Sequence, residues 1–224
     1  MAAIVPAAGR GRRFKTKLSK ILYRLQGRPL LIHTLSNLKR SYPFKEIIVL
    51  TQKNEIPRMR ALLGRYGLRR VRVEEGGASR ADSVKRGVEA IKSGVEWVLV
   101  HDAARPFVSK GVVQRTLAAA KASGAALCAV PATATVKRVG VRDGIVSGTE
   151  DRRTLWLAQT PQVFRKRLLL ERYKKLGKKA LAATDEAALF DGSRTRVRVV
   201  EGEMKNIKVT TEEDLGLLEF YLKK

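Results

Sequence analysis

The sequence predicts an α/β fold in which a mainly parallel sheet is covered by helices on both faces. Short apolar, β-prone runs alternate with helix-like segments along most of the chain, and this alternation is typical of parallel sheets. The 224 residues, 44% of them apolar, can bury one sizeable core, so we predict a single domain over 1–224. A polar, β-prone stretch at 132–158 interrupts the alternation and predicts a protruding β-arm.

The predicted strands are apolar, and the predicted helices carry stripes of leucine. The strands cover residues 3–7, 46–51, 71–74, 97–101 and 125–130. The helices lie near 29–40, 55–66, 80–93 and 109–123. Leucines with helical spacing are Leu30, Leu31, Leu35 and Leu38 in the first helix and Leu215, Leu218 and Leu222 near the C-terminus. We predict that these leucines belong to the core.

The arm at 132–158 is predicted to be a hairpin. Its Asp143-Gly144 dipeptide favours a tight turn between two strands. An isolated two-stranded ribbon is only marginally stable in water, which predicts that the arm packs on another subunit. A disordered surface loop is the alternative.

The chain is strongly basic. Its 46 Lys and Arg residues against 21 Asp and Glu residues give a net charge of +25, which favours a partner rich in phosphate. The basic residues are spread over the whole chain, without a basic tail or an aromatic-rich tract. A generally cationic surface with some nonspecific RNA affinity is therefore favoured over a specific nucleic-acid site.

Cysteine and histidine are scarce. Cys128 is the only cysteine, which excludes an intrachain disulfide and fits a reducing, cytoplasmic location. The N-terminus has no positively charged segment before its short apolar run, so we expect no signal peptide. We expect no membrane span, because no apolar run reaches about 18 residues. His33 and His101 are the only histidines, and no Cys/His cluster has metal-ligand spacing, so a zinc site is not expected.

The first candidate site follows the first predicted strand. Gly9 and Gly11 allow unusual backbone conformations and let N–H groups approach an anion, while Arg12, Arg13 and Lys20 supply positive charge. This composition predicts a phosphate-binding turn, and a tight turn with solvated arginines is the alternative. The spacing matches neither a P-loop nor the three-glycine dinucleotide fingerprint.

The second candidate site is the turn at 76–84, where two glycines follow a strand and polar residues begin a helix. Backbone amides and the Ser83 hydroxyl could bind the edge of a base or a sugar, and Arg80 could reach a phosphate. The alternative is that Ser79 or Asp82 only caps the helix.

The third candidate site lies directly after the strand at 97–101, where open α/β sheets bind ligands. Asp102 could bind a hydroxyl or a magnesium ion, and Arg105 a phosphate, with a salt bridge between these two side chains as the alternative. His101 is interpreted as a packed residue at the end of the strand.

A late segment, 206–210, is predicted to close on a strand, followed by an N-cap with acidic residues at 211–214. Lys208 lies in this apolar segment and therefore needs an anion or a route to solvent, of which the anion is favoured.

The order of these pieces carries more information than any one of them. Along residues 3–222 the motifs are A-A-G-x-G-x-R with a lysine seven residues later, G-G-x-x-R-x-x-S-V, H-D-A-A-R-P, D-R-x-x-L-W, T-P-Q, T-D-E and N-I-K-V-T. In this order they resemble the 2-C-methyl-D-erythritol 4-phosphate cytidylyltransferase family of the nonmevalonate isoprenoid pathway.

The resemblance implies a Rossmann-like nucleotidyltransferase fold and a homodimer held together by β-arms. It also implies that CTP and methylerythritol phosphate form a cytidine diphosphate sugar alcohol and pyrophosphate, with Mg²⁺ on the CTP phosphates. The substrate phosphate attacks the α-phosphorus in line, and fixed cations stabilise the charge that develops.

The resemblance also implies roles for residues at the matching motif positions. The catalytic cations would be Arg13, Lys20 and Lys208. The nucleotide site would comprise Ala8, Gly9, Gly11, Gly77, Ala78, Arg80 and Ser83. The sugar phosphate would be bound by Asp102, Arg105, Thr160 and Lys208, with Thr135 and Arg152 contributed by the neighbouring subunit.

Two positions depart from the family pattern. Ser19 precedes Lys20 where the family usually has proline, which predicts a less rigid loop and a less preorganised Lys20. Ala78 stands where many relatives carry an acidic residue near the base, so the choice of CTP over UTP stays open. A ribitol 5-phosphate cytidylyltransferase and a non-catalytic RNA-binding protein on the same fold are the alternative functions. The T-D-E motif at 184–186 is given no chemical role, because it could cap its own helix.

Overall fold

The computed structural model describes residues 1–9 and 19–223. Its strands are β1 (Ala2–Pro6), β2 (Arg24–Leu25), β3 (Arg28–Pro29), β4 (Glu46–Thr51), β5 (Arg72–Glu75), β6 (Trp97–Val100), β7 (Ala125–Pro131), β8 (Lys137–Val139), β9 (Val146–Thr149), β10 (Trp156–Arg165) and β11 (Val197–Glu201). Its helices are α1 (Leu30–Ser41), α2 (Ile56–Arg65), α3 (Arg80–Glu89), α4 (Lys110–Ser123), α5 (Lys166–Leu176) and α6 (Glu213–Lys223). Short 3₁₀ turns include Lys20–Leu22 and Ala187–Phe190.

Seven of the described strands form one sheet in the order β11-β7-β10-β6-β1-β4-β5, and β2 pairs with β3 in a separate two-stranded sheet. β1 pairs in parallel with β4 and β6, and β4 pairs in parallel with β5. β11 runs parallel to β7, whereas β10 lies antiparallel between β6 and β7. The predicted mainly parallel α/β sheet is confirmed, with one antiparallel strand inside it.

Helices cover both faces of this sheet. Successive residues of a strand face opposite sides, so Ala3 and Val5 of β1 pack into a core with α1, α2 and α4. Ala2 and Ile4 pack on the other side with α3 and α5. β1 is thus buried on both faces, as its continuous apolar sequence predicts.

The leucine stripes are buried as predicted. The fully buried leucines are Leu30, Leu31, Leu35, Leu38 and Leu218. Leu215 is 8% exposed, and Leu222 is partly buried against the cluster that contains Leu30, Leu215 and Leu218. Burial of each such side chain stabilises the fold by about 2 kcal/mol. No helix in the described part of the chain is long and apolar enough to cross a membrane.

β8 and β9 form an antiparallel two-stranded ribbon outside the main sheet. Gly144 has a φ of +70°, which is the conformation that the predicted turn requires of a glycine. The predicted limits of the arm need one correction, because Trp156, Leu157 and Ala158 already pair with β7 as part of β10. The excursion therefore ends before residue 156.

Other elements differ from the sequence prediction. The sequence analysis does not predict β10, β11 or α5. β10 contains Pro161 and several polar residues, and such residues argue against a central strand when only the sequence is known. The predicted strand at 206–210 is wrong. This segment is irregular, and the Val209 amide donates to the Ala104 carbonyl oxygen at 2.9 Å instead of joining the sheet.

Candidate active site

A cleft of about 860 Å³ opens at the carboxyl ends of β1, β4, β5 and β6. The turns after these strands form much of its wall, including residues 6–9, 52–53, 75–79 and 102–104. β1 lies between β4 and β6, so the chain proceeds outward in both directions from this point of the sheet. Open α/β sheets bind their ligands at such a switch point.

The described part of the cleft wall is predominantly basic. Its cationic side chains are Lys20, Lys53, Arg80, Arg86 and Lys208. Its acidic side chains are Glu75 and Asp102. This excess of positive charge favours a ligand that carries several negative charges.

The turn after β1 lines the cleft through Ala8 and Gly9. The Ala8 carbonyl oxygen accepts a hydrogen bond from Gln52 Nε2 at 3.3 Å. Gly9 does not have a positive φ, and a Cβ atom there would meet no described atom within 4 Å. Arg13 and Gly11 lie outside the described residues.

The turn after β5 is stabilised by a capping network at the start of α3. Ser79 Oγ accepts from the Asp82 amide at 3.1 Å, and Asp82 Oδ2 accepts from the Ala78 amide at 2.9 Å. Ser83 Oγ accepts from the Gly77 amide at 2.9 Å and donates to the Ser79 carbonyl oxygen at 2.9 Å. The helix caps weighed as an alternative are therefore present.

This capping network changes the expectation for base recognition. The amides of Gly77 and Ala78 already donate within the turn, so they are not the free donors that the sequence interpretation assumed. A Cβ atom at Gly77 would overlap the Asp82 carboxylate, which explains the glycine there. Ser83 is buried, and its hydroxyl stabilises the turn through hydrogen bonds to Gly77 and Ser79.

Arg80, the first residue of α3, is held between two carboxylates. Its Nε lies 3.1 Å from Asp102 Oδ1, and its Nη1 lies 2.9 Å from both carboxylate oxygens of Glu186. Burial opposes the charge of the guanidinium, but Glu186 and Asp102 outweigh it and raise the pKa of Arg80 above its ordinary value. Glu186 was not predicted as a site residue.

Asp102 lies at the centre of the cationic side chains. Its Oδ2 is 3.0 Å from Lys208 Nζ and 3.4 Å from Arg105 Nε. Burial by itself raises the pKa of Asp102, but Arg80, Lys208 and Arg105 more than offset this effect and hold the pKa below its usual range. The predicted anion for Lys208 is therefore Asp102, and the Asp102–Arg105 salt bridge also forms.

Arg105 is buried and does not line the cleft. Its Nη1 donates to the Asn206 carbonyl oxygen at 2.8 Å, and its Nη2 donates to the Ala158 carbonyl oxygen at 3.4 Å. Arg105 therefore links the turn after β6 to β10 and to the segment 206–210. The predicted contact between Arg105 and a phosphate is not supported by this placement, because backbone carbonyl oxygens already occupy the guanidinium.

Thr160 and His101 hold the turn after β6 in place through hydrogen bonds. His101 Nε2 donates to the Arg105 carbonyl oxygen at 3.0 Å, since a carbonyl oxygen can only accept. Complete burial lowers the pKa of His101 to about 4, so the ring is neutral and its Nδ1 accepts from Thr160 Oγ1 at 3.0 Å. Thr160 Oγ1 in turn accepts from the Asp102 amide at 3.0 Å. The packed histidine that the sequence predicts is confirmed.

We expect His101 to destabilise the protein in acid. Its folded-state pKa of about 4 lies below the ordinary value of 6.5, so the unfolded chain takes up the proton first. Stability that is complete above pH 6.5 is then lost as the pH falls to 4, by about 3 kcal/mol in the free energy of unfolding. Urea unfolding at pH 7 and pH 4 measures this loss. His101→Asn, which cannot titrate, should lose less; an equal loss would contradict the assignment.

Lys20 and Lys208 share one wall of the cleft. Lys20 begins a 3₁₀ turn after Ser19, and its Nζ donates to the carbonyl oxygen of Val209 at 2.9 Å. Asp214, in the first turn of α6, accepts from the amides of Thr210 and Thr211 at 2.6 and 2.9 Å. The start of α6 and Lys20 thus hold the irregular segment that carries Lys208.

Thr135 and Arg152 are not brought into the cleft of their own chain. Both are exposed residues of the arm, and Arg152 Nη1 donates to the Thr133 carbonyl oxygen at 2.8 Å. Neither side chain is among the residues that line the cleft.

Comparison with known proteins decides the family. A family model described as IspD, 2-C-methyl-D-erythritol 4-phosphate cytidylyltransferase, matches residues 1–224. The chain belongs to this family. An enzyme of that name from Syntrophus aciditrophicus is 41% identical over 226 residues, covering 100% of this chain and 96% of the relative. The cytidylyltransferase of Bacillus mycoides is 40% identical over 98% of this chain and 96% of the relative.

Solved structures agree with the family assignment. The 4-diphosphocytidyl-2C-methyl-D-erythritol synthase of Anaerococcus prevotii has a TM-score of 0.85 and 32% identity, covering 100% of this chain and 98% of that one. The cytidylyltransferase of Thermus thermophilus has a TM-score of 0.80 and 33% identity, covering 99% and 98%. The bifunctional IspDF of Campylobacter jejuni, of which this chain covers 53%, also matches with a TM-score of 0.80.

The IspD motifs can now be placed in the structure. H-D-A-A-R-P, T-P-Q and N-I-K-V-T meet around Asp102, and T-D-E brings Glu186 to Arg80. The only sequence signal for Glu186 was the T-D-E motif itself, since 106 positions separate it from Arg80.

Proposed function

We propose that the protein transfers the cytidylyl group from CTP to 2-C-methyl-D-erythritol 4-phosphate. The products are 4-diphosphocytidyl-2-C-methyl-D-erythritol and pyrophosphate. The observation that carries this proposal is the match of the whole chain, residues 1–224, to the IspD family. The basic cleft at the switch point of the sheet supports it, because both substrates carry phosphate.

The chemistry requires charge stabilisation more than proton transfer. A phosphate oxygen of the sugar phosphate attacks the α-phosphorus of CTP, the bond to the pyrophosphate oxygen breaks, and negative charge grows on the departing group. The attacking oxygen is already anionic near neutral pH, so no general base is needed. We assign the stabilising positive charges to Lys20, Lys208 and Arg13. Fixed cations that face the developing negative charge lower the barrier of such a reaction.

We assign substrate contacts by position in the cleft. Ala8 and Gly9, with Gly11, are proposed to surround the triphosphate, and the turn at 77–83 is proposed to lie at the cytosine. For the sugar phosphate, Lys208 is proposed as the direct cationic contact, held in place by Asp102. Thr160 and Arg105 are proposed to act through the turn after β6, because their polar groups are occupied within the protein.

Mg²⁺ is proposed to arrive with CTP as part of the substrate. The described residues contain no group of three His, Cys, Asp or Glu side chains that could hold a metal ion. Asp102, the best-placed carboxylate, is already surrounded by Arg80, Arg105 and Lys208. Mg²⁺ commonly stays on substrate phosphates with few protein ligands, where it neutralises charge.

We also propose that the active protein is a homodimer joined through the arm. The arm exposes apolar side chains that a partner would cover, namely Val139, Val141, Ile145 and Val146. Thr135 and Arg152 are exposed residues of the arm and are proposed to complete the sugar-phosphate site of the other subunit.

Magnesium-dependent release of pyrophosphate from CTP tests the reaction. Methylerythritol phosphate and ribitol 5-phosphate are compared as acceptors, and UTP serves as the second nucleotide. Release with methylerythritol phosphate alone is the expected result. Release that depends on ribitol 5-phosphate, or none with either acceptor, would overturn the proposed substrate.

Mixed dimers test the shared site. Chains carrying Lys20→Ala and chains carrying Arg152→Ala should each be poorly active alone, because either change damages both sites of a homodimer. A mixed dimer should regain one intact site of two, or about half of the wild-type activity. The recovery is measured on dimers purified through two different affinity tags, and its absence would contradict a site built from two subunits.

A further inference from the structure

Glu186 is a buried carboxylate that the reaction scheme leaves without a role. Its exposed fraction is 0%, and it pairs with Nη1 of Arg80, whereas Asp102 pairs with Nε. Tyr173 Oη lies 3.4 Å from Glu186 Oε1 and 3.2 Å from the Ala81 carbonyl oxygen, so the hydroxyl lies beside the buried carboxylate and links it to α3. A buried charge persists in a fold only where it is paired, and Arg80 is the pairing cation.

The fold fixes Glu186 through its neighbours on the chain. Gln162, buried in β10, donates from Nε2 to Asp185 Oδ2 at 2.8 Å and accepts from the Ala187 amide at 3.1 Å. Asp185 Oδ1 also accepts from the Ala188 amide at 3.0 Å. The residues on both sides of Glu186 are therefore tied to the central sheet, so its carboxylate is a fixed point in the structure.

This fixed carboxylate determines where the Arg80 guanidinium lies. Nε is bound to Asp102 and Nη1 to Glu186, and no described residue accepts a hydrogen bond from Nη2. The side chain of Arg80 lines the cleft and is 24% exposed. Two of the three guanidinium nitrogens thus hold the group at the cleft wall and leave the third for a ligand.

Glu186 also provides part of the negative charge that pairs with Arg80, so Asp102 does not pair with this cation alone. Asp102 is shared by Arg80, Arg105 and Lys208, and three cations around one carboxylate compete for two oxygens. With Glu186 in place, Arg80 meets Asp102 through Nε only. Without that charge, Arg80 would be drawn toward Asp102 and away from its present position.

We propose that Glu186 is a positioning residue that holds Arg80 at the cleft wall for binding of the nucleotide. The proposal rests on the proposed function, because the nucleotide is the ligand assigned to Arg80. Glu186 touches neither substrate; it acts through Arg80 alone. This gives the T-D-E motif a role in addition to the local capping that its sequence suggests.

A double-mutant cycle on binding of MgCTP tests the proposal. The variants are Glu186→Gln, Arg80→Met and the two together, and the dissociation constant is measured by calorimetry, without turnover. Glu186→Gln should weaken binding about tenfold in the wild-type background and less than about twofold in the Arg80→Met background. An equal effect in both backgrounds, or no effect in the wild type, would overturn the proposal.

Two further variants separate charge from packing. Glu186→Asp keeps the charge and should bind MgCTP more tightly than Glu186→Gln; the reverse order would show that side-chain size matters and would overturn the proposal. Glu171→Gln in α5 is the matched control, because Glu171 is exposed and pairs only with Arg167 among the described residues. It should bind MgCTP as the wild type does.

The cycle also distinguishes this proposal from the function on which it rests. If the wild type binds MgCTP but releases no pyrophosphate with methylerythritol phosphate, the proposed reaction fails while the binding cycle still decides the role of Glu186. If the wild type does not bind MgCTP at all, both proposals are overturned.

Discussion

Replacing Lys20 by alanine should lower kcat about a hundredfold or more and leave KM for both substrates nearly unchanged. Lys20 lines the cleft at the wall that also carries Lys208. A fixed cation that stabilises the charge of the transition state contributes to kcat, whereas one that only binds the substrate contributes to KM. Steady-state rates of pyrophosphate release, with CTP and methylerythritol phosphate varied in turn, measure the two constants separately.

A second role for Lys20 must be separated from the first. Its Nζ donates to the Val209 carbonyl oxygen at 2.9 Å, so its loss also frees the segment beside Lys208. If that were its whole contribution, Lys20→Ala would raise KM for the sugar phosphate and spare kcat, and this outcome would falsify the catalytic role. Lys39→Ala, at an exposed position of α1, is the control for loss of one lysine and should leave both constants unchanged.

The fold was largely predictable because its signals are local. Each leucine of the α1 stripe repeats at helical spacing, and the apolar sequence of β1 requires cover on both faces. The exceptions are elements whose stability depends on distant neighbours. β10 is stabilised as a central strand by β6 and β7 despite Pro161, and 206–210 is bound by Ala104 and Lys20 instead of a ladder.

The location of the site was also predictable, because the carboxyl ends of parallel strands meet at one edge of the sheet. An anion for Lys208 was expected from the cost of burying a charge, and Asp102 supplies it. The packing of His101 was expected from its place at the end of a strand. The placement of Glu186 was not expected, since no local pattern joins it to Arg80. The occupied amides of Gly77 and Ala78 were missed for a similar reason, because a cap and a free amide look alike in sequence.

Some assignments rest on resemblance and stay predictions. Arg13 and Gly11 lie outside the described residues. Thr135 and Arg152 are exposed residues of the arm, so the roles proposed for them depend on a second subunit. The mixed-dimer experiment addresses the arm residue Arg152 directly.

Asp102→Asn should be the most damaging single substitution at the site. The Asp102 carboxylate is buried and is shared by Arg80, Arg105 and Lys208. Its neutral isostere leaves these cations with one fewer buried counter-charge, and breaking a buried ion pair from one side typically costs about 3 to 5 kcal/mol. We expect the free energy of unfolding to fall by about 3 kcal/mol and kcat/KM for methylerythritol phosphate to fall about a thousandfold.

Chemical unfolding at pH 7 and steady-state kinetics on the remaining folded protein measure these two effects. Glu89→Gln in α3 makes the same change from carboxylate to amide at an exposed ion pair with Lys85, and it should cost less than about 1 kcal/mol. The contrast between the two variants isolates burial, since the chemical change is the same. An Asp102→Asn protein as stable as Glu89→Gln would mean that the three cations find solvent or another anion without Asp102. A stable but inactive Asp102→Asn protein would instead assign the carboxylate to orientation of Lys208 alone.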